Sequence, residues 1–287
     1  MSASKGGYYL PQPSYWPLVG SVGLFLTLGG FAHYLHHGSP MVMMAGAVVL
    51  LIMLFGWFGT VIRESQAGKY NDQVDMSFRL GMGWFIFSEV MFFAAFFGAL
   101  FYARMYAVPW LGGGGNKGMT PELLWHGFEA VWPTNGPADV GGTFKPMEAW
   151  GIPAINTLIL LSSGVTVTLA HWALKKNHRG GLILWLAATV GLGVLFLVLQ
   201  AHEYSAAYHE MNLTLHSGIY GTTFFMLTGF HGLHVTLGAT MLLVILIRSI
   251  KGHFTPDHHF AFEAVAWYWH FVDVVWLGLF VFVYWLL

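Results

Sequence analysis

A single glutamate stands inside a long apolar run, in Phe87-Ser88-Glu89-Val90-Met91-Phe92-Phe93. Arg79 and Arg104 bracket that run, and almost everything between them is apolar. On a helix the two arginines lie roughly 37 Å apart, about a bilayer with part of its headgroup layers. Glu89 then sits roughly 15 Å from the Arg79 end, deep in the hydrocarbon zone. An ionised carboxylate there is expensive, so this one is expected to be neutral, paired, or turned toward a protein or water-lined interior. Such a carboxyl exchanges its proton slowly and is a target for carbodiimides. A proton-related role and a role as interhelical glue both stay open at this point.

A second acid, Asp273, falls in Trp267-Tyr268-Trp269-His270-Phe271-Val272-Asp273-Val274-Val275-Trp276. His270 and Asp273 are i,i+3 neighbours, so they can pair and limit the cost of burying charge. That arrangement suits a proton relay or an intersubunit contact, or a hydrogen bond that fixes packing, the last being favoured.

Fifteen histidines in an apolar chain invite a metal or a haem. His231 and His234, in Phe230-His231-Gly232-Leu233-His234-Val235, share a helix face. His171 ends one apolar segment and His270 lies within another. His33, His36, His37, His253, His258 and His259 all fall near segment ends, where headgroups are their expected partners. For each histidine the plainer expectation is a hydrogen bond between helices or to a headgroup. Arg63-Glu64, close after Trp57, form another kind of site: an arginine grips a phosphate bidentately and a carboxylate accepts from an ethanolamine. Arg248, near the end of a later segment, is placed to hold an anionic lipid. The plainer reading of these charges is ordinary anchoring at the membrane surface.

The elements that must position these groups follow from composition. Of 287 residues 56% are hydrophobic and only 9% charged, where a soluble domain carries about 25% charged residues. The chain is expected to be an all-α membrane protein, because its apolar runs are far longer than barrel strands. A net charge of −1 and a pI near 6.9 give no footprint for nucleic acid. There is no cysteine, which excludes disulfides and thiolate metal sites. Met1 to Ser14 are polar and proline-rich, and are not expected to form a signal peptide.

Seven apolar segments are expected as transmembrane helices, at 16–35, 41–62, 78–106, 152–174, 182–200, 218–250 and 262–287. The first two, joined by His36-His37-Gly38-Ser39-Pro40, form a tight hairpin within residues 1–62. The other five form a second region, 63–287. A glycine- and proline-rich connection from Ala107 to Gly151 interrupts it. The basic residues divide unevenly between the two ends. Lys5, Arg63, Lys69, Arg79, Lys175, Lys176, Arg179, Arg248 and Lys251 fall on one side, and Arg104, Lys117 and Lys145 on the other. The first side, with the N-terminus, is expected to face the cytoplasm or matrix. The 107–151 connection is then on the outer face. No internal repeat is evident, which opposes an inverted-repeat transporter. No lysine lies mid-membrane, which opposes a retinal Schiff base.

Several motifs, in order along nearly the whole chain, resemble subunit III of the aa3-type cytochrome c oxidase family. They are Arg79-Leu80-Gly81-Met82 with Ser88-Glu89-Val90-Met91-Phe92-Phe93, Leu161-Ser162-Ser163-Gly164-Val165-Thr166-Val167-Thr168, Leu199-Gln200 with Glu203-Tyr204, Gly218 to Phe225, Gly229 to Val235, and Trp267 to Trp276. Seven segments suit this subunit better than the related five-helix quinol-oxidase version.

The resemblance implies a non-catalytic subunit that packs on subunit I of a proton-pumping oxidase fed by cytochrome c. It implies no metal in this chain, with haem a, haem a3, CuA and CuB held by subunits I and II. The first two helices would splay from the other five, with phospholipids in a V-shaped cleft. Trp57, Arg63 and Glu64 would contact lipid headgroups, and Arg248 an anionic lipid. Glu89 matches the family's buried carbodiimide-sensitive glutamate. His231, His234 and His270 become packing and hydrogen-bonding residues. The family role is to keep the catalytic core stable through turnover and to support proton uptake. The long 107–151 connection departs from mitochondrial members and suggests a bacterial inner-membrane protein. The alternative from the residues alone is a stand-alone haem membrane protein using His231, His234 and other helix histidines.

Overall fold

The computed structural model describes residues 9, 10 and 12–286. Lys5, counted above among the basic residues, lies outside them. Among the described residues all regular structure is helical, and seven helices are long and apolar enough to cross a membrane. The chain divides into two compact units, one up to Leu80 and one from Gly81 onward.

In the first unit, α1 (Trp16–His37) and α2 (Met41–Gln66) form the expected hairpin. Gly38 turns the chain at φ 73°, a left-handed value that favours glycine, and its N–H closes α1 on the Tyr34 carbonyl. The two helices lie backbone to backbone because glycines face the seam. A Cβ on Gly30 would come within 2.2 Å of the Met43 nitrogen, and one on Gly46 within 2.4 Å of the Thr27 nitrogen. Lipid tails are as apolar as leucine, so this close packing replaces a hydrophobic drive as the source of adhesion.

The third helix, α3 (Asp72–Tyr102), starts six residues before the expected 78. The Asn71 side chain accepts from the Val74 N–H at 3.0 Å, and Asp72 and Asp75 lie in the first turn, where the helix dipole favours acids. Arg79 folds back on Asp75 at 2.6 Å. At its far end α3 widens into a π-turn, Ala103–Ala107, before α4 (Val108–Leu111). Pro109 has no N–H to offer the Met105 carbonyl, so regular α-helical bonding cannot run through this point. The connection that follows holds a short α5 (Met119–Leu123) and is otherwise irregular to Gly151. It is tied down nonetheless: the Asn212 amide donates to the carbonyls of Gly141 and Thr143, and Trp132 and Phe144 pack on Tyr220.

The second unit is built on α6 (Ile152–Lys175), α7 (Arg179–Glu210), α8 (Gly218–Ile250) and α9 (Phe260–Leu279), the last continued by a π-turn over Phe280–Trp285. Each packs on the next, and α9 returns to α6. The α7 helix runs ten residues past the expected end at 200. Polar residues there suggest a loop, but Glu203 is buried and accepts a hydrogen bond from Tyr284 at 2.8 Å, so the helix continues inside the bundle. The fully buried rings of Trp269 and Trp276 stand seven residues apart on one face of α9. Their indole N–H groups donate to hydroxyls of α6, Ser163 and Thr157, each at 2.9 Å. Gly193 of α7 and Gly238 of α8 make the slot for Trp269; a Cβ on either would meet the indole at 2.8 Å.

The Arg179 guanidinium donates to the Ile250 carbonyl, gathering Lys175, Lys176, Arg248 and Lys251 at one end of this unit. Arg104 donates to the Leu286 carbonyl at the other.

Gly238→Ala is expected to destabilise the protein by about 1–3 kcal/mol through overpacking against Trp269. Gly191→Ala, which meets open space, is expected to be near neutral. Thermal unfolding of the two variants in detergent checks this.

Candidate functional site

Glu89 is not alone. Its Oε2 lies 2.8 Å from Nε2 of His234, an α8 residue 145 positions away. The glutamate side chain is 21% exposed and the histidine 9%, so the pair lies at the rim of the bundle rather than at its centre. The other nitrogen of His234, Nδ1, is 2.6 Å from the Phe230 carbonyl and must donate to it. The contact between Nε2 and Glu89 therefore holds one further proton, on one atom or the other. Both forms of the pair are neutral overall, which meets the cost of placing an acid at this depth. Phe92 and Phe93, one turn beyond Glu89, pack on the same imidazole at 5.8 and 4.9 Å.

His231 shares the helix but not the partner. It is fully buried, and its Nε2 donates to the Val272 carbonyl of α9 at 3.2 Å. Its ring is packed between Phe196 and Trp276. The two histidines of α8 thus serve different neighbours, and i,i+3 spacing has not made them a joint ligand set.

Asp273 is buried, and its Oδ2 is 3.5 Å from Nδ1 of His270, as the spacing suggested. Its other oxygen has no hydrogen-bond partner among the described residues. Gly164 of α6 gives the carboxylate room, since a Cβ there would come within 2.4 Å of Oδ2. His270 is half-exposed and reaches the Thr168 hydroxyl with Nε2 at 3.3 Å.

The charged residues near the ends of α2 and α8 behave differently from one another. Trp57 and Arg63 are exposed, and Arg63 folds back on the Gly59 carbonyl and the Thr60 hydroxyl. Glu64 does not pair with its neighbour but accepts from the Tyr70 hydroxyl at 3.0 Å. Burial first, and that hydrogen bond second, push the Tyr70 phenol well above its ordinary value, so it remains a donor. Arg248 is buried and lies over the Phe254 ring at 4.5 Å. Its guanidinium makes no hydrogen bond or ion pair with the described residues, and its Nε is enclosed without a partner. Burial, then the charges of Arg248 and Lys251, push His253 below the ordinary histidine value.

Two groups escaped the sequence reading. Glu203, quoted within a motif but assigned no role, is 1% exposed and bonded to Tyr284. His259 and Glu263 stand one turn apart at the start of α9 and meet His171 of α6. The i,i+4 spacing of the latter two was the available signal, hidden because His259 looked like one more residue near a helix end.

The family model described as cytochrome c oxidase subunit III matches residues 6–287. A protein of Hippopotamus amphibius named cytochrome c oxidase subunit 3 is 41% identical over 286 residues, 99% of each chain. Its namesake in Cyprinus carpio is also 41% identical, and that of Dugong dugon 40%, each again over 99% of both chains. The order of motifs from Arg79 to Trp276 is thus matched by similarity along almost the full length. The chain belongs to the cytochrome c oxidase subunit III family.

Proposed function

We propose that this chain is the non-catalytic third subunit of a proton-pumping aa3-type cytochrome c oxidase, with no redox centre of its own. It packs on subunit I in a complex that also holds subunit II. Haem a, haem a3, CuA and CuB reside in those partners, and cytochrome c delivers the electrons. The observation that carries this reading is the family match over residues 6–287. The bonding of His231 and His234 supports it, since both histidines are committed to neighbouring helices. The departure of the 107–151 connection supports a bacterial inner membrane. The excess of basic residues at the ends holding Arg63 and Arg248 supports a cytoplasmic N-terminus and a periplasmic C-terminus.

Phospholipid binding is the second part of the proposal. Only 6% of the most apolar stretch of α2 is buried, against 44% in the last span, so α2 offers its surface to lipid or to a partner. Trp57 and Arg63 are exposed toward the end of that helix, the position of an interfacial anchor. Glu64, held by Tyr70, is placed to accept from an ethanolamine. Arg248 suits a phosphodiester, because a buried guanidinium without a counter-charge is costly and a phosphate oxygen supplies one.

Glu89 with His234 carries the third part. A neutral pair that holds one shared proton serves as a structural link between α3 and α8 and as a reservoir near the proton-uptake path. Asp273 with His270 is read as packing.

Glu89→Gln is expected to leave assembly and initial electron transfer largely intact, because an amide N–H can still donate to Nε2 of His234. His234→Phe strands the carboxyl and is expected to lower retention of the subunit in the purified oxidase by several-fold; equal retention of both variants contradicts the link. Arg63→Ala with Glu64→Ala is expected to shorten the oxidase's lifetime in turnover while its starting rate stays near wild type. Oxygen consumption followed to inactivation, with lipid content measured by mass spectrometry, checks this. Unchanged lifetime and lipid content contradict it.

A further inference from the structure

Away from Glu89, three side chains from two helices bring one ligand atom each to a common point. His171 lies in the last turn but one of α6, His259 caps α9, and Glu263 follows one turn later. Nε2 of His171 is 3.2 Å from Nε2 of His259 and 3.5 Å from Oε1 of Glu263; the third side, from His259 Nε2 to the same Oε1, is 3.2 Å. The same three atoms make all three contacts, so they form one triangle and not a chain of separate bonds.

The orientation is fixed from behind. Nδ1 of His259 is 3.2 Å from the Thr255 carbonyl and donates to it, which leaves the lone pair of Nε2 facing the triangle. This is the outer hydrogen bond that metal-bound histidines use to set their tautomer. The Phe262 ring packs 5.4 Å from the His171 imidazole and steadies it. His259 and Glu263 are 8% and 12% exposed and His171 22%, so the point is sheltered but reachable past His171.

One divalent cation placed among these atoms meets a lone pair of each of the three. The size of the triangle is compatible with zinc. Ligands at 2.0–2.1 Å from a tetrahedral zinc stand about 3.3 Å apart, and the observed sides of 3.2, 3.2 and 3.5 Å bracket that value. An octahedral magnesium at similar distance needs edges of about 3.0 Å and an oxygen-rich set. Two imidazoles and one carboxylate are the donors of open tetrahedral zinc sites.

We propose that His171, His259 and Glu263 bind one Zn2+ ion, with water in the fourth position. The ion would clamp the end of α6 to the start of α9. It departs from the expectation that this chain holds no metal. It leaves the absence of a redox centre untouched, because zinc does not change oxidation state.

The test uses the intact oxidase complex, stripped with a chelator and titrated with Zn2+. Zinc bound per haem a is counted by mass spectrometry for wild type, Glu263→Gln and His171→Gln, using preparations with the wild-type haem spectrum. Zinc held elsewhere in the complex is common to all three and cancels. Each variant is expected to bind one equivalent fewer, or to bind it at least 10-fold more weakly. Equal stoichiometry and affinity in all three overturn the site. Zinc-edge anomalous diffraction from the wild-type complex decides independently of whether the variants assemble. A peak within bonding distance of the three named atoms is expected, and its absence at saturating Zn2+ overturns the proposal.

Discussion

Inside a bilayer there is no water to satisfy a polar side chain, so its partner must come from the protein, on its own helix or on a neighbouring one. In this protein that constraint sets how the second unit is assembled. Trp269 and Trp276 reach hydroxyls of α6, Tyr284 reaches Glu203 of α7, His231 reaches the backbone of α9, and His234 reaches Glu89 of α3. Each bond crosses from one element to another. Interhelical hydrogen bonds in membranes contribute on average only about 0.6 kcal/mol, with about 1.7 at the upper end. Five of them therefore specify register more than they supply cohesion. Cohesion comes from the close approach that Gly164, Gly193 and Gly238 permit beneath Asp273 and the Trp269 ring.

The same constraint governs what the histidines do. An imidazole has two nitrogens, and in His234 both are bonded. In His231 one is bonded to α9 and the other is enclosed by the protein. Binding a haem iron here would break an interhelical bond and displace packed aromatic rings. At the end of α6 and the start of α9 the position differs: one ligand atom each from His171, His259 and Glu263 converges on one point. The proposed absence of redox centres from the apolar middle is compatible with a metal ligand set near the surface.

Much of this was legible in the residues, and the omissions have physical causes. Span number and the bounds of the sixth span, 218–250, follow from apolar length alone. The hairpin of α1 and α2 follows from Gly38 and Pro40. The tail of α7 was missed because His202, Glu203 and Tyr204 look like a loop when their buried partner, Tyr284, is far away in sequence. Periodicity says which face of its own helix Glu89 occupies, but it cannot say that His234 stands opposite. The i,i+3 rule placed His270 beside Asp273; it also put His231 and His234 on one helix face, from which they bond to different neighbouring helices, in line with the plainer expectation of interhelical hydrogen bonds. Arg63 and Glu64 looked like one clasp because they are adjacent, yet consecutive helical residues point apart, and each found its own partner.

The central claim is that the membrane histidines hold helices together and ligate no redox metal. The most direct measurement is the optical spectrum, with iron and copper analysis, of this chain produced without its partner subunits. The account predicts no Soret band and no stoichiometric iron or copper. A Soret band that disappears on replacing His231 or His234 would contradict it.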